Sequence, residues 1–187
     1  KGVEDLVAAF LKSKIVSKSK LVLIGPFEQE KDPINQETMQ VIREHPRLVQ
    51  LDWTDHVAHY LALADVLVQA SHEEGFSNVL LEAAAMQVPI ICSNCIGNTS
   101  FIKQQKTGLV FPVGEVTVLK EALEFAFVKR EALTNYAEAL FEEVQEKFDR
   151  KILQQLQLEA YFQKRAHEWR QNHRHPTLPH LEFAAPL

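Results

Sequence analysis

The sequence has little cysteine, no long apolar run and no excess of positive charge, and each shortage removes a class of protein. Two cysteines in 187 residues are too few for the disulfide framework of a small secreted scaffold. No apolar stretch approaches the roughly 20 residues that span a bilayer. A net charge of -5 and a pI near 5.9 argue against a broad electrostatic surface for nucleic acid, though they leave room for a local cationic pocket. Internal repeats and low-complexity tracts are missing too. Lys1-Gly2-Val3-Glu4-Asp5 carries no signal-peptide pattern, so the expected address is cytoplasmic. What is present is 46% hydrophobic and 24% charged, enough to bury a substantial core in one domain.

Apolar spacing then orders the chain. Val3, Leu6, Val7, Phe10 and Leu11 recur at helical intervals, predicting a helix over 3–12. Lys20-Leu21-Val22-Leu23-Ile24, closed by Gly25-Pro26, is a continuous apolar run of the kind buried on both faces of a parallel sheet. The alternation repeats: helix 35–44, strand 47–51, helix 56–63, strand 65–70, helix 78–86, strand 89–92, strand 108–111, and an almost wholly helical stretch from about Glu115 to Arg170. Alternating strands and helices with short connections predict a Rossmann-like α/β fold, three layers with a parallel sheet covered by helices on both faces. Ligands in that class sit beyond the carboxyl ends of the strands. The loops to read are therefore those after Ile24, Leu51, Ala70 and Cys92. The domain is expected over 1–165, with 166–187, polar and punctuated by Pro176 and Pro179, as an extended tail.

The loop after Ala70 carries the chemistry. Ser71-His72-Glu73-Glu74-Gly75-Phe76-Ser77-Asn78 links a strand to a helix, and Glu82 lies eight positions after Glu74, expected in or near that helix's first turn. A helix start exposes unpaired N–H groups and the positive end of its dipole, a ready site for phosphate. Gly75 lets backbone approach a ligand. Two carboxylates flanking the turn can accept hydrogen bonds from sugar and ribose hydroxyls. Taken alone, the two glutamates read more simply as a solvated pair favoured by the dipole.

The stretch from Ala64 to Ile91 changes that balance. Ala64-Asp65-Val66, Ser71, Glu74-Gly75-Phe76, Leu81-Glu82-Ala83, Ala85 and Pro89-Ile90-Ile91 resemble, in order and spacing, the signature of retaining nucleotide-sugar glycosyltransferases of family four. Ile96-Gly97-Asn98 and Lys106-Thr107-Gly108-Leu109-Val110-Phe111-Pro112 follow where that family has a glycine turn and a further strand. The resemblance covers 1 to about 165 and implies the C-terminal, donor-binding half of a GT-B fold. It implies transfer of a hexose or N-acetylhexosamine from a UDP-sugar to a glycan with retention, without a metal or other cofactor. In that light Glu82 would hold the ribose hydroxyls and Glu74 the transferred hexose. The amides around Gly75, Phe76, Ser77, Asn78 and Val79 would meet sugar and diphosphate. Lys1, in the family's Lys-Gly pair, would neutralise the leaving group. Trp53 and Thr54 match the loop near the nucleobase; Trp53 reads equally as a packed aromatic at a strand end. Gly25-Pro26-Phe27-Glu28 with Asp32-Pro33 resembles a bacterial subgroup acting on capsule or lipid-linked glycans. The full enzyme would then work at the inner face of the membrane, peripherally attached.

Departures from the pattern are Ala70 for proline, Gln87 for glycine, Ser100 for glutamate and Asp52 for glycine. A family member needs two domains, about 350 residues at usual domain size, so this chain is expected to be the donor half. It would lack the strand and the arginine that precede the Lys-Gly pair, and it would be inactive alone. The competing class is a non-catalytic α/β module that binds a nucleotide or a protein.

Other constellations read more simply. Cys92-Ser93-Asn94-Cys95 follows an apolar strand with no second pair for zinc, so buried free thiols are expected rather than redox chemistry. His72 is expected as a surface residue of the loop, and His56 and His59 as one exposed helix face. His173, His175 and His180 fall in the expected tail. Ile152, Leu153, Leu156, Ala160 and Tyr161 read as a core-facing helical stripe.

Overall fold

Each apolar run singled out above becomes a strand, and each strand is followed by a helix. The order is α1 (Val3–Lys12), β1 (Leu21–Ile24), α2 (Gln36–Glu44), β2 (Leu48–Leu51), α3 (Val57–Leu61), β3 (Leu67–Gln69), α4 (Asn78–Ala85), β4 (Ile90–Ser93), α5 (Ile96–Thr99), β5 (Leu109–Phe111), α6 (Val116–Val128) and α7 (Arg130–Lys147). The structure, a computed structural model, describes residues 2–27, 33–54, 56–75 and 77–147. Lys1, Asp55, Phe76, the expected tail with its histidines and the stripe from Ile152 to Tyr161 lie outside the described residues. All described residues but Lys147 belong to the compact unit Lys1–Glu146.

Local chemistry explains several boundaries. Asn35 caps α2, its Oδ1 accepting from the Thr38 amide at 2.7 Å, which supplies one of the helix's orphan N–H groups with a partner. The helical stretch expected from Glu115 is not continuous. Lys129, at φ -107° and ψ 51°, leaves helical geometry and separates α6 from α7. None of the described helices is long and apolar enough to cross a membrane.

Every strand pairing is parallel, as the continuous apolar runs predict. β4 lies between β3 and β5 and is buried at all four positions. Ile91 joins a core with Leu6 and Phe10 of α1, Phe111 of β5, Leu119 and Leu123 of α6 and Leu133 of α7. Strand alternation turns Ile90 and Cys92 to the opposite face. On β3 and β4 also packs α4, whose buried Leu80, Ala83 and Ala84 stand outside that cluster. Helices thus cover both sides.

One expectation is corrected. The strands form two sheets, β1-β2 and β3-β4-β5, rather than one. A cavity of about 1300 Å³ separates them, lined by Leu21–Gly25 on one side and by Asp65–Ser71 on the other. β1 is therefore an edge: Leu23 is buried, but Val22 and Ile24 are 43% and 39% exposed. A strand is buried on both faces only when neighbours carry the helical layers over it, and among the described residues β1 has a hydrogen-bonded neighbour on one side alone. Phe27, Trp53, Ser71, His72 and Glu74, which follow β1, β2 and β3, all line the cavity. The carboxyl ends of β1, β2 and β3 open onto it.

Helix α4 ends in a Schellman arrangement, with Val88 N–H donating to Ala83 O at 2.8 Å and Gln87 N–H to Ala84 O at 3.1 Å. The motif needs a left-handed residue, and Gln87 supplies it at φ 55°. This is the position where the resembled pattern has glycine. A side chain in that conformation costs about 1–2 kcal/mol, partly offset by the greater unfolded-state freedom of glycine. Gln87→Gly is expected to raise stability by about 1 kcal/mol. A urea titration reads it as a higher midpoint at unchanged slope, and an unchanged midpoint would show that the turn carries no strain.

Candidate functional site

Five residues organise the loop between β3 and α4. Gln69, the last residue of β3, donates from Nε2 to Ser71 Oγ at 3.0 Å and to Glu74 Oε1 at 3.1 Å. Ser71 Oγ donates to the same Glu74 oxygen at 3.1 Å. In an extended segment residues two apart share a side, so Gln69 and Ser71 reach the same carboxylate. Beneath them, buried Ser93 at the end of β4 donates its hydroxyl to the Ser71 carbonyl. Asn98, fully buried in α5, donates from Nδ2 to Ser93 O at 3.2 Å and Ser93 Oγ at 3.1 Å.

Backbone contacts hold the loop from two other directions. Gly97 N–H donates to Glu74 O at 3.1 Å. A Cβ at Gly97 would stand 2.4 Å from that same oxygen, so only glycine permits the approach. His72 Nε2 lies 2.6 Å from Asp5 Oδ2 in the first turn of α1. Gly2, at φ 70°, presses against the Ala70 carbonyl, fixing the start of α1 beside the start of the loop.

Helix α4 begins at Asn78 with no side-chain cap from Ser77 and no acidic residue in its first turn. Leu80 N–H already donates to Ser77 O at 3.2 Å, and with no side-chain cap the amides of Asn78 and Val79 and the helix dipole can meet an anion. Glu82 lies near the first turn, as expected. It is the fifth residue of α4, exposed, in the second turn. The dipole effect fades within the first turn, so it adds little at Glu82, whose exposure leaves the carboxylate in solvent. Val79, one turn earlier on the same side, is half-buried and lines the cavity with Glu74.

The other expected residues are placed as follows. Gly75 is exposed with open space around it, and Ser77 is buried. Trp53 lines the cavity at 72% exposure, which overturns its reading as a packed aromatic. Thr54 Oγ1 accepts from the His56 amide at 3.0 Å. Lys1 and Phe76 are outside the described residues. Cys92 and Cys95 are free and buried. Burial first, and then the neighbouring Cys95, push the Cys92 thiol up to about 12. The reactive species is the thiolate, so Cys92 is protonated and inert at neutral pH.

Sequence reasoning missed Gln69, Ser71 and Ser93 as a supporting set. Their one legible signal is that three polar side chains close the apolar runs at the carboxyl ends of adjacent strands.

A family model described as glycosyl transferases group 1 matches residues 1–143. The chain is 30% identical over 127 residues to the capsular polysaccharide biosynthesis glycosyltransferase CapM of Staphylococcus aureus, over 66% of this chain and 33% of that protein. It is 31% identical over 165 residues to the N-acetyl-alpha-D-glucosaminyl L-malate synthase of Bacillus anthracis, over 86% of this chain and 42% of that protein. The crystal structure of Anabaena Alr3699/HepE in complex with UDP-glucose has the same fold, with a TM-score of 0.79 at 18% identity over 87% of this chain and 45% of that one. The chain spans between a third and a half of each of these proteins.

Proposed function

The chain belongs to the glycosyl transferases group 1 family, and on that premise we propose that it is the donor-binding half of a GT-B hexosyltransferase or N-acetylhexosaminyltransferase using a UDP-sugar. One observation carries the reading: Glu74 is held by Gln69 and Ser71 through one oxygen, immediately before an uncapped helix start at the carboxyl end of a parallel strand. That combination offers an anion site for a diphosphate beside an acceptor for sugar hydroxyls.

In this reading the diphosphate lies at the α4 N-terminus against the amides from Gly75 to Val79. Glu74 accepts from the hexose, Glu82 from the ribose, and Trp53 with Thr54 borders the nucleobase. Lys1 neutralises charge on the departing diphosphate. The anomeric carbon–oxygen bond breaks with its electron pair going to the phosphate oxygen. The acceptor hydroxyl forms the new glycosidic bond on the same face, and its proton passes to the departing phosphate, so configuration is retained. Backbone dipoles and a cation aimed at the developing charge supply the stabilisation, and the reaction requires no metal. The acceptor, a glycan of capsule or lipid-linked type, binds a second domain across the cleft.

Calorimetry of this chain with UDP and UDP-sugars tests the proposal. Binding without turnover is expected. Silence at millimolar UDP and UDP-sugar would sink the donor site in favour of a non-catalytic module, and sugar transfer by the isolated chain would overturn its assignment as half an enzyme.

A further inference from the structure

We infer that Gln69 is a positioning residue that orients the Glu74 carboxylate toward the transferred sugar, an inference that rests on the reading of Glu74 as the hexose-binding group. A primary amide has two N–H donors. Those of Gln69 go to Ser71 Oγ and Glu74 Oε1, while the Ser71 hydroxyl goes to that same Oε1. The three groups close a triangle. With its oxygen already accepting from Gln69, the Ser71 hydroxyl turns its own hydrogen to Glu74. Gln69 therefore fixes the carboxylate twice, directly and through Ser71.

The consequence is asymmetry. Both donors converge on Oε1, and Glu74 Oε2 accepts no hydrogen bond among the described residues. An ionised carboxylate only accepts, so Oε2 is left for a hydroxyl of the ligand. Glu74 is half-buried and lines the cavity mouth. The anchor is firm, because Gln69 stands at the end of β3 in register with Cys92 of the fully buried β4. An apolar side chain at 69 would leave the Ser71 hydroxyl free to rotate and Glu74 with one donor. The loss would fall on the sugar and spare the nucleotide, whose proposed contacts lie on α4.

The test is the ratio of the dissociation constants for a UDP-sugar and for UDP, measured by calorimetry on this chain. The probes are UDP, UDP-glucose, UDP-galactose and UDP-N-acetylglucosamine. Gln69→Met keeps the length of the side chain and removes its donors. It is expected to raise the ratio about three- to tenfold, the span of one hydrogen bond, with UDP affinity within twofold of wild type. Ser71→Ala, which removes the relay while leaving Gln69, is expected to shift the ratio in the same direction. An unchanged ratio in Gln69→Met, or equal weakening of UDP and UDP-sugar, would reduce Gln69 to a structural role and overturn the inference. Wild-type chain that binds UDP but none of the sugars overturns Glu74 as a hexose group and this inference with it. Wild-type chain that does not bind UDP brings down the donor site itself, a failure visible before any variant is made.

Discussion

Replacing Gly97 by alanine is expected to lower the thermal midpoint by about 5–15 °C, a loss of about 2–4 kcal/mol for a chain of this size. The reason is distance. A Cβ at that position would meet Glu74 O at 2.4 Å, Glu74 C at 2.8 Å and Gly75 O at 2.8 Å. All three are backbone atoms, so no rotamer change relieves the contact. Either α5 or the β3–α4 loop must move, and the bond from Gly97 N–H to Glu74 O is lost with the movement. Moving the loop also moves the carboxylate that Gln69 and Ser71 hold, so UDP-sugar binding should weaken further than stability alone explains. Gly75→Ala is the control. A Cβ there meets nothing within 4 Å, and its stability is expected within about 0.5 kcal/mol of wild type. Thermal denaturation of the two variants decides the matter. Equal midpoints would mean that the approach of α5 to the loop is looser than 2.4 Å requires.

The contrast between those glycines shows what the sequence could reveal. Gly75 stands inside the recognisable Glu74-Gly75-Phe76 run and drew attention as the glycine of the site, yet the backbone packing that demands glycine is at Gly97, 22 positions later. Local order was legible: the alternation of apolar runs and amphipathic helices predicts β1 to β5 and α1 to α4 to within a few residues. Motif spacing also located the loop, because its parts are consecutive. Contacts between consecutive elements left no such trace. The bond from Ser93 to the Ser71 carbonyl depends on the parallel pairing of β3 with β4. The break at Lys129 has neither glycine nor proline to announce it. The exposure of Val22 and Ile24 depends on what lies beside β1, and an apolar run reads the same whether its neighbour is present or not. Gln87 is the intermediate case. A departure from the resembled pattern marked the position, and only the φ of 55° gave the reason.

Alanine at Glu82 is expected to weaken UDP and UDP-sugar alike by about 30- to 100-fold, whereas alanine at Glu74 should weaken UDP-sugar about tenfold or more and leave UDP nearly untouched. The two carboxylates differ in what holds them. Glu74 is half-buried and tied to Gln69 and Ser71, so it serves whatever sits at the start of the loop. Glu82 is exposed in the second turn of α4, and among the described residues no side chain is hydrogen-bonded to its carboxylate. A carboxylate facing two vicinal ribose hydroxyls would make two charge-assisted bonds, each worth more than a neutral one, which sets the larger effect. Surface position makes the measurement clean, since Glu82→Ala should unfold within about 0.5 kcal/mol of wild type and any lost affinity is then a lost contact. Glu82→Gln keeps an acceptor without the charge and should fall between the two. Reversed selectivity, with Glu74→Ala losing UDP and Glu82→Ala losing only the sugar, would exchange the two assignments and turn the proposed donor end for end in the site. Equal and small effects at both positions would return the pair to a solvated surface and leave the α4 N-terminus as the only anchor for the nucleotide.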